Sequence, residues 1–193
     1  MTSDPTCAAA HPDGLVVAEI RGTEDDYGLA GVFIYISGGL EDHVFDVPET
    51  PVVLDQRGCW YEPRIAGVRT GQPIVFRSSD DTLHNVHGEP TLSARWNFGL
   101  PRQNSERRMV IDRQEVLIPI RCDVHPWMRL DLGVVDNPYF TITAEDGSFR
   151  LDGIPAGTYT IAGVHPKLGR RDAPIIVEPK STSPATMAFR IRR

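Results

Sequence analysis

The sequence lacks long apolar runs and has no surplus of positive charge. No run approaches the roughly 18–20 apolar residues that a membrane-spanning helix needs, and the clearest run, Leu29–Ile36, is strand-sized. We therefore expect no membrane span. The net charge of −6 argues against nucleic acid as the main partner. The polar start, Met1 to Pro5, does not resemble a signal peptide, so we expect either a cytosolic protein or a mature chain whose leader has been removed.

Helical periodicity is also absent, since no stretch of ten or more residues keeps a helical period. The 17 glycines and 16 prolines interrupt the chain at short intervals, a pattern typical of many short strands in a sandwich or Greek-key barrel. We expect residues 91–105 to form a long loop. The predicted strands are 15–21, 32–37, 65–69, 73–77, 83–87, 108–112, 115–122, 130–135, 139–143, 148–151, 158–164, 175–178 and 187–193.

Residues 122–128 carry the most informative chemistry. They place a thiol, an imidazole and a thioether, those of Cys122, His125 and Met128, at spacings of three and three. A blue copper site uses a Cys and two His in a trigonal plane with a weak axial Met. The second imidazole must come from elsewhere, and residues 83–87 offer His84 and His87.

Strand alternation supports this interpretation. Val116, Ile118 and Ile120 share one face of the predicted strand, and Cys122 continues that face, so its sulfur is expected to point inward. Pro126 is expected to help turn the chain, so that His125 and Met128 can fold back over the metal.

His84 and His87 are three positions apart in a strand and therefore face opposite sides. We choose His84 as the ligand because Asn85 follows it, and an amide there can hydrogen-bond toward the Cys122 sulfur and link two loops. His87 is then expected to be a surface or core polar residue. A rival zinc site of His84, His87, Cys122 and His125 conflicts with this alternation and leaves Met128 unexplained.

The two motifs Cys-x-x-His-x-x-Met and His-Asn-x-His, with the strand pair in residues 68–76, resemble the cupredoxin family of plastocyanin- and amicyanin-like blue copper proteins. The resemblance covers about residues 60–136. It implies one type 1 copper per chain, held by the ligands His84, Cys122, His125 and Met128, with His125 as the exposed route for the electron.

The C-terminal part has a second resemblance. Residues 146–149 and 153–159 look like parts of a carboxypeptidase regulatory-like (transthyretin-like) β-sandwich, and the whole chain is similar to bacterial methylamine-utilisation-like proteins that join the two modules. We therefore expect an all-β protein: a cupredoxin Greek-key β-sandwich or barrel with extended N-terminal strands over residues 1–136, then a small regulatory-like β-sandwich over residues 137–193. The second domain could share strands with residues 15–40.

The three cysteines leave one thiol over if a disulfide forms. With Cys122 as a metal ligand, Cys7 and Cys59 are expected to pair, closing a loop of about fifty residues worth ~4 kcal/mol in the chain-entropy model. The alternative is two free thiols in a cytosolic protein. The disulfide and the copper chemistry together predict a periplasmic or secreted protein.

A type 1 site has no open coordination position, so the copper would transfer single electrons between redox partner proteins instead of acting on a substrate. The six histidines include no His-x-His pair of the kind that catalytic copper uses, so we do not expect an enzyme. The first alternative is a periplasmic copper-handling protein, a chaperone or store, with exposed and weakly held ligands. The second is an interaction module that recognises its partner through the C-terminal domain.

Several other residues have predicted roles. The uncharged run of residues 124–128 predicts a docking rim around the ligand imidazole, with Pro126 and Trp127 on it. Asp80 and Asp81 are expected to form only a turn. We expect His11, His43 and His165 at the surface, and the sequence leaves open whether His87 or His165 binds a second metal.

Overall fold

A computed structural model describes residues 4–14 and 28–190. These residues form an all-β protein with a single short helix, which confirms the predicted fold class. The predicted strand 15–21 lies outside the described residues. The helix is too short to cross a membrane, and the described residues contain no other helix. The elements are α1 (Pro5–Ala10), β1 (Phe33–Gly38), β2 (Val52–Arg57), β3 (Trp60–Glu62), β4 (Ile65–Arg69), β5 (Ile74–Ser78), β6 (His84–Gly88), β7 (Trp96–Leu100), β8 (Glu106–Met109), β9 (Glu115–Arg121), β10 (Arg129–Val135), β11 (Phe140–Ile142), β12 (Gly157–His165) and β13 (Gly169–Val177).

The chain divides into two compact units, each built from two pieces of sequence. Among the described residues, the first unit comprises 4–14 and 47–134, and the second comprises 28–46 and 135–190.

The first unit is a sandwich of two sheets. One sheet has the strand order β4-β10-β9-β6-β7 and the other β3-β2-β5-β8. Apolar side chains from both sheets, among them Leu54, Phe76, Val86, Ile118 and Leu132, form one buried core. Burial of this apolar surface is the main force that holds the two sheets together.

Strand β9 follows the predicted alternation where the site needs it. Ile118, Ile120 and Cys122 are buried, whereas Pro119 between them is exposed. The alternation is interrupted at Leu117, which has a positive φ of 60°, and the pairing with β10 shifts by one residue there. This is a β-bulge, and it leaves the run from Ile118 to Cys122 with one uniform inward face.

The prediction of a loop over residues 91–105 was wrong in its middle, where β7 pairs with β6. Trp96, Phe98 and Leu100 alternate with polar or small residues, which is the pattern of a half-buried strand. The Trp96 ring lies over Gly88, where a Cβ would be only 2.1 Å from the ring. The glycine at position 88 therefore leaves room for the Trp96 ring in this place.

The second unit contains one four-stranded sheet in its described residues, with the order β11-β1-β12-β13. Residues 148–151 are not a strand, nor are residues 187–190, and residues 191–193 lie outside the described part. Side chains from these and other segments without strands, including Phe45, Phe149 and Met187, instead pack onto the apolar cluster of the sheet. The hydrophobic residues of these segments thus pack against the core, as their sequence pattern indicates, although the segments form no strands.

Candidate metal centre

Strands β6 and β9 are neighbours in the larger sheet, with Gly88 opposite Ile120. This pairing brings the start of β6, at His84, beside Cys122, which directly follows the end of β9. The chain then forms the loop 122–128 and enters β10. The sheet thus gathers the predicted donors at one end of the sandwich.

We call the four predicted donors, His84, Cys122, His125 and Met128, the donor cluster; the first three are in mutual contact, and Met128 lies in the same core as Cys122. All four are buried, with at most 2% of any of these residues exposed. The Nδ1 atoms of His84 and His125 lie 3.0 Å apart, and the Cys122 sulfur lies 4.0 Å and 3.8 Å from them.

These three distances define a point about 2.1 Å from each of the two Nδ1 atoms and the Cys122 sulfur. This is close to the roughly 2.0–2.1 Å and 2.3 Å at which a first-row metal such as zinc binds nitrogen and sulfur. One imidazole pair and one sulfur can therefore share a single small cation.

Backbone hydrogen bonds close the loop 122–128 tightly. The Cys122 N–H donates to the Met128 carbonyl at 3.1 Å, and the Met128 N–H donates to the His125 carbonyl at 2.9 Å. The Met128 side chain is fully buried in the same apolar core as Cys122. A spacing of three residues between successive donors is thus compatible with a compact turn in which the thioether stays on the inner side.

Asn85 links the two ligand-bearing segments, but not in the predicted way. Its backbone N–H, and not its side-chain amide, contacts the Cys122 sulfur, at 3.5 Å. The side-chain oxygen accepts the Asp123 N–H at 2.6 Å, and the amide nitrogen donates to the Asp123 carboxylate at 2.9 Å. The side chain points outward because residues 84 and 85 alternate in β6, so it can only join the loops from outside.

The prediction that Asp80 forms only a turn was wrong. This buried carboxylate accepts a hydrogen bond from His84 Nε2 at 2.9 Å and from the backbone N–H groups of Gly58 and Cys59 at 2.7 and 2.8 Å. A carboxylate on the outer nitrogen of an imidazole fixes its tautomer and leaves the other nitrogen for a metal. The spacing Asp80-x-x-x-His84 is the only local signal, and its meaning depends on the distant Gly58–Cys59 turn.

His125 is not the exposed imidazole that the family resemblance implies. Only 2% of the residue is exposed, and Nε2 lies 3.5 Å from a carboxylate oxygen of Asp4. Residues from the N-terminal segment therefore lie over this ring. The sequence contains no periodic signal for a contact between residues more than a hundred positions apart.

The two predicted rim residues differ in their surroundings. Pro126 is exposed. Trp127 is half-buried, packs against the core and the His125 ring, and donates from its indole nitrogen to the Cys59 carbonyl at 3.1 Å. Much of the indole is therefore engaged in holding the loop 122–128 against the Cys59 turn.

On the opposite face of β6 lies what we call the outer network: Asn85, His87, Asn97, Arg121 and Asp123. Asp123 accepts hydrogen bonds from His87 at 2.9 Å and from Arg121 at 2.9 Å, and Arg121 also pairs with Glu89. The Arg121 hydrogen bond, more than any other contact, holds the pKa of Asp123 well below its ordinary value. His87 therefore faces away from the donor cluster, and the rival zinc set does not come together.

Cys7 and Cys59 form the predicted disulfide, which joins residues 52 positions apart and is fully buried. The disulfide ties the N-terminal segment to the turn beside Asp80. Cys122 remains a free, buried thiol.

The prediction that His165 lies at the surface was wrong. Its side chain is buried, its Nδ1 accepts the Lys167 N–H at 3.1 Å, and burial lowers its pKa. Among the described residues, the groups of three or more potential metal-binding side chains include neither His87 nor His165.

The pKa values in the donor cluster are strongly shifted. Burial lowers the pKa of His84, but the Asp80 carboxylate and the Cys122 sulfur outweigh it and raise the pKa to about 9. Burial raises the pKa of the Cys122 thiol, yet hydrogen bonds from His84 and the Asn85 N–H bring it below its ordinary value of 9.0. Burial, followed by the nearby His84, lowers the pKa of His125. The shifts at His84 and Cys122 both favour the charged forms of these two groups relative to the isolated side chains, and metal binding at this site would require loss of the thiol proton.

The donor set fits copper. A thiolate and a thioether suit Cu(I), and imidazole suits both oxidation states. The donors are buried among apolar side chains, so little water competes for the metal.

Comparisons with known proteins give structural neighbours only. No family model matches the chain, and no curated protein matches it. A Cu-containing nitrite reductase from Thermus scotoductus SA-01 is 16% identical, with a TM-score of 0.39 over 48% of this chain; the match spans only 24% of the reductase. A Cu(I) methionine-to-alanine mutant of amicyanin is 18% identical with a TM-score of 0.39, over 52% of this chain and 97% of amicyanin. An oxidized proline-to-alanine amicyanin mutant is 20% identical with a TM-score of 0.40, over 46% and 86%.

Proposed function

We propose that this protein binds one copper ion in a type 1 site formed by His84, Cys122, His125 and Met128, and that it carries single electrons between redox partner proteins. The observation that supports this most strongly is the triangle of donor atoms with sides of 3.0, 3.8 and 4.0 Å. When bound, copper would supply a one-electron couple between Cu(I) and Cu(II).

The protein's own groups have defined tasks in this proposal. Asp80 holds the His84 ring with Nδ1 toward the cluster, and the Asn85 N–H stabilises negative charge on the Cys122 sulfur. The loop hydrogen bonds fix His125 and Met128 relative to Cys122. Donor atoms held this firmly would change their positions little between the Cu(I) and Cu(II) states. A small rearrangement favours fast electron transfer.

Burial also discriminates between the candidate functions. A copper chaperone or store would benefit from exposed donors that exchange metal easily. Here every donor is buried, and two carboxylates, Asp80 and Asp4, lie against the outer nitrogens of the imidazoles. We therefore favour the carrier over the copper-handling alternative. The Cys7–Cys59 disulfide supports a periplasmic or secreted location.

The further proposal is a cupredoxin domain within residues 1–136 and a carboxypeptidase regulatory-like domain over residues 137–193 that also takes β1 from the N-terminal part, since β1 pairs with β11 and β12. The sandwich of two sheets in the first unit supports its first half.

The direct experiment is to add Cu(II) to the purified protein and record absorption and EPR spectra. We expect the intense blue absorption of a copper–thiolate bond, and we expect Cys122→Ser to abolish it while the protein stays folded. His87→Gln is the matched control and should remain blue. A blue Cys122→Ser protein would refute the ligand set, and reversible voltammetry would separate a carrier from a protein that releases its copper to a moderate chelator.

A further inference from the structure

The N-terminal segment, residues 4–11, lies over one of the two imidazoles of the donor cluster. The Asp4 Oδ2 atom is 3.5 Å from His125 Nε2 and accepts a hydrogen bond from the Thr82 hydroxyl at 2.7 Å. The His125 ring is almost fully buried, although it sits in a loop whose neighbours Val124 and Pro126 are exposed.

Several contacts fix this segment in place. Helix α1 begins at Pro5, and the Asp4 Oδ1 atom caps it by accepting the Cys7 N–H at 3.1 Å. Cys7 is bonded to Cys59. At the far end, His11 Nε2 donates to the Gly58 carbonyl at 2.6 Å. With the segment bonded in its middle and at its end, the position of Asp4 over His125 is set by covalent and hydrogen bonds.

The two oxygens of Asp4 have different tasks. One caps the helix, and the other faces Thr82 and His125. The second arrangement repeats at the other imidazole, where Asp80 faces the outer nitrogen of His84. A carboxylate in this place orients the ring of a metal-binding histidine and selects its tautomer.

We propose that Asp4 is a positioning residue of the metal centre: its carboxylate, carried by the disulfide-tethered segment 4–11, turns His125 Nδ1 toward the other donors and closes the imidazole edge to solvent. The role as a ligand-positioning residue rests on the proposed copper site. A redox partner that approaches His125 therefore meets segment 4–11 before it meets the imidazole.

The experiment measures solvent exchange of the His125 Nε2–H by NMR on the full-length, disulfide-bonded chain labelled with ¹⁵N, both metal-free and loaded with Cu(I). Asp4→Asn is the decisive variant. Its Oδ1 can still cap helix α1, but its amide nitrogen is a donor and cannot accept from Nε2–H. Asp13→Asn makes the same change of charge on an exposed carboxylate of the same part of the chain and serves as the control.

We expect exchange of the His125 Nε2–H to become faster by about fivefold or more in both Asp4→Asn and Asp4→Ala, as for the loss of one hydrogen bond. The His84 Nε2–H, bonded to Asp80, and the Asp13→Asn protein should remain unchanged. Removal of Cu(I) by a chelator should accelerate in the same two variants.

If Asp4→Asn exchanges like the wild type, Asp4 acts only as a helix cap and the proposal is wrong, whatever Asp4→Ala does. The measurement on the metal-free protein does not depend on copper binding, so it tests the contact between Asp4 and His125 separately from the proposed function. A protein that shows the exchange difference but binds no copper would contradict the copper site and leave the contact between Asp4 and His125 established.

Discussion

The two faces of strand β6 offer the sharpest comparison in the molecule. On the inner face, His84 belongs to the donor cluster, where every side chain is buried. On the outer face, one and three residues further along, Asn85 and His87 belong to the outer network, whose side chains are partly exposed. Both faces contain an imidazole bonded to an aspartate, at 2.9 Å in each case. The same pair of groups therefore belongs to a buried donor cluster on one side and to an exposed ion-pair network on the other. The two sites differ in their burial and in the presence of Cys122.

The largest contrast should appear in copper affinity. His84→Gln removes a proposed ligand and should weaken copper binding by more than the roughly 10–100-fold that loss of an outer hydrogen-bond partner costs. His87→Gln should bind copper like the wild type. Competition titrations with a chelator of known affinity would measure both, and equal losses in the two variants would remove the distinction between the faces.

A second contrast concerns the aspartates and the stability of the metal-free protein. In Asp80→Asn, an amide NH2 group replaces one of the two carboxylate oxygens, so a donor then faces an N–H donor in a buried site. We therefore expect the substitution to lower the free energy of unfolding by about 2–3 kcal/mol. Asp123→Asn, on the exposed face, should lower it far less, since exposed ion pairs contribute little. Urea unfolding at neutral pH measures both.

The pH dependence of the same two proteins gives an internal check. Burial raises the pKa of Asp80, but hydrogen bonds from His84 and from the Cys59 and Gly58 N–H groups outweigh it and lower the pKa below 3.8. A lowered pKa contributes stability above the unfolded-state value, and that stability is lost as the pH falls through the lowered folded-state value. The stability difference between wild type and Asp80→Asn should therefore shrink below about pH 3.8, and a constant difference would contradict an ionised Asp80.

The smallest contrast is expected within the inner face itself. Met128→Leu conserves volume in the core, so the fold should tolerate it at a cost below about 1.5 kcal/mol. Copper should remain bound and blue, while the reduction potential should rise because the weak axial donor is lost. Cyclic voltammetry measures this shift, and an unchanged potential would show that the thioether is not a donor.

Much of the inner face could be predicted from sequence because it depends on local rules. Alternation in residues 83–87 and 115–122 predicts that His84 and Cys122 face inward and that His87 faces outward. The loop spacing predicts which donors follow Cys122. These patterns extend over a few residues, so they do not depend on knowing the partner strands.

The features that sequence could not predict depend on distant contacts. From the sequence, Asp80 is predicted only as part of a turn. Its role depends on the fold, which brings the N–H groups of Gly58 and Cys59 within hydrogen-bonding distance of its carboxylate. The contact between Asp4 and His125 joins residues more than a hundred positions apart. Strand β7 was missed although its apolar residues alternate, because the surrounding polar residues favour a loop and the packing of Trp96 on Gly88 is not visible locally.

The interrupted sequence of the second unit has a consequence for genetic dissection. Strand β1 pairs with β11 and β12, which lie about a hundred residues or more downstream. A stop codon near residue 136 would therefore leave β1 in the chain without either neighbour, and would uncover Phe33, Ile34 and Ile36, which are buried in the intact protein. On the ribosome, the same strand must wait for nearly the whole chain to be synthesised before its sheet can close. Isolating the first unit thus requires removal of the inserted segment that carries β1 as well as of the C-terminal piece.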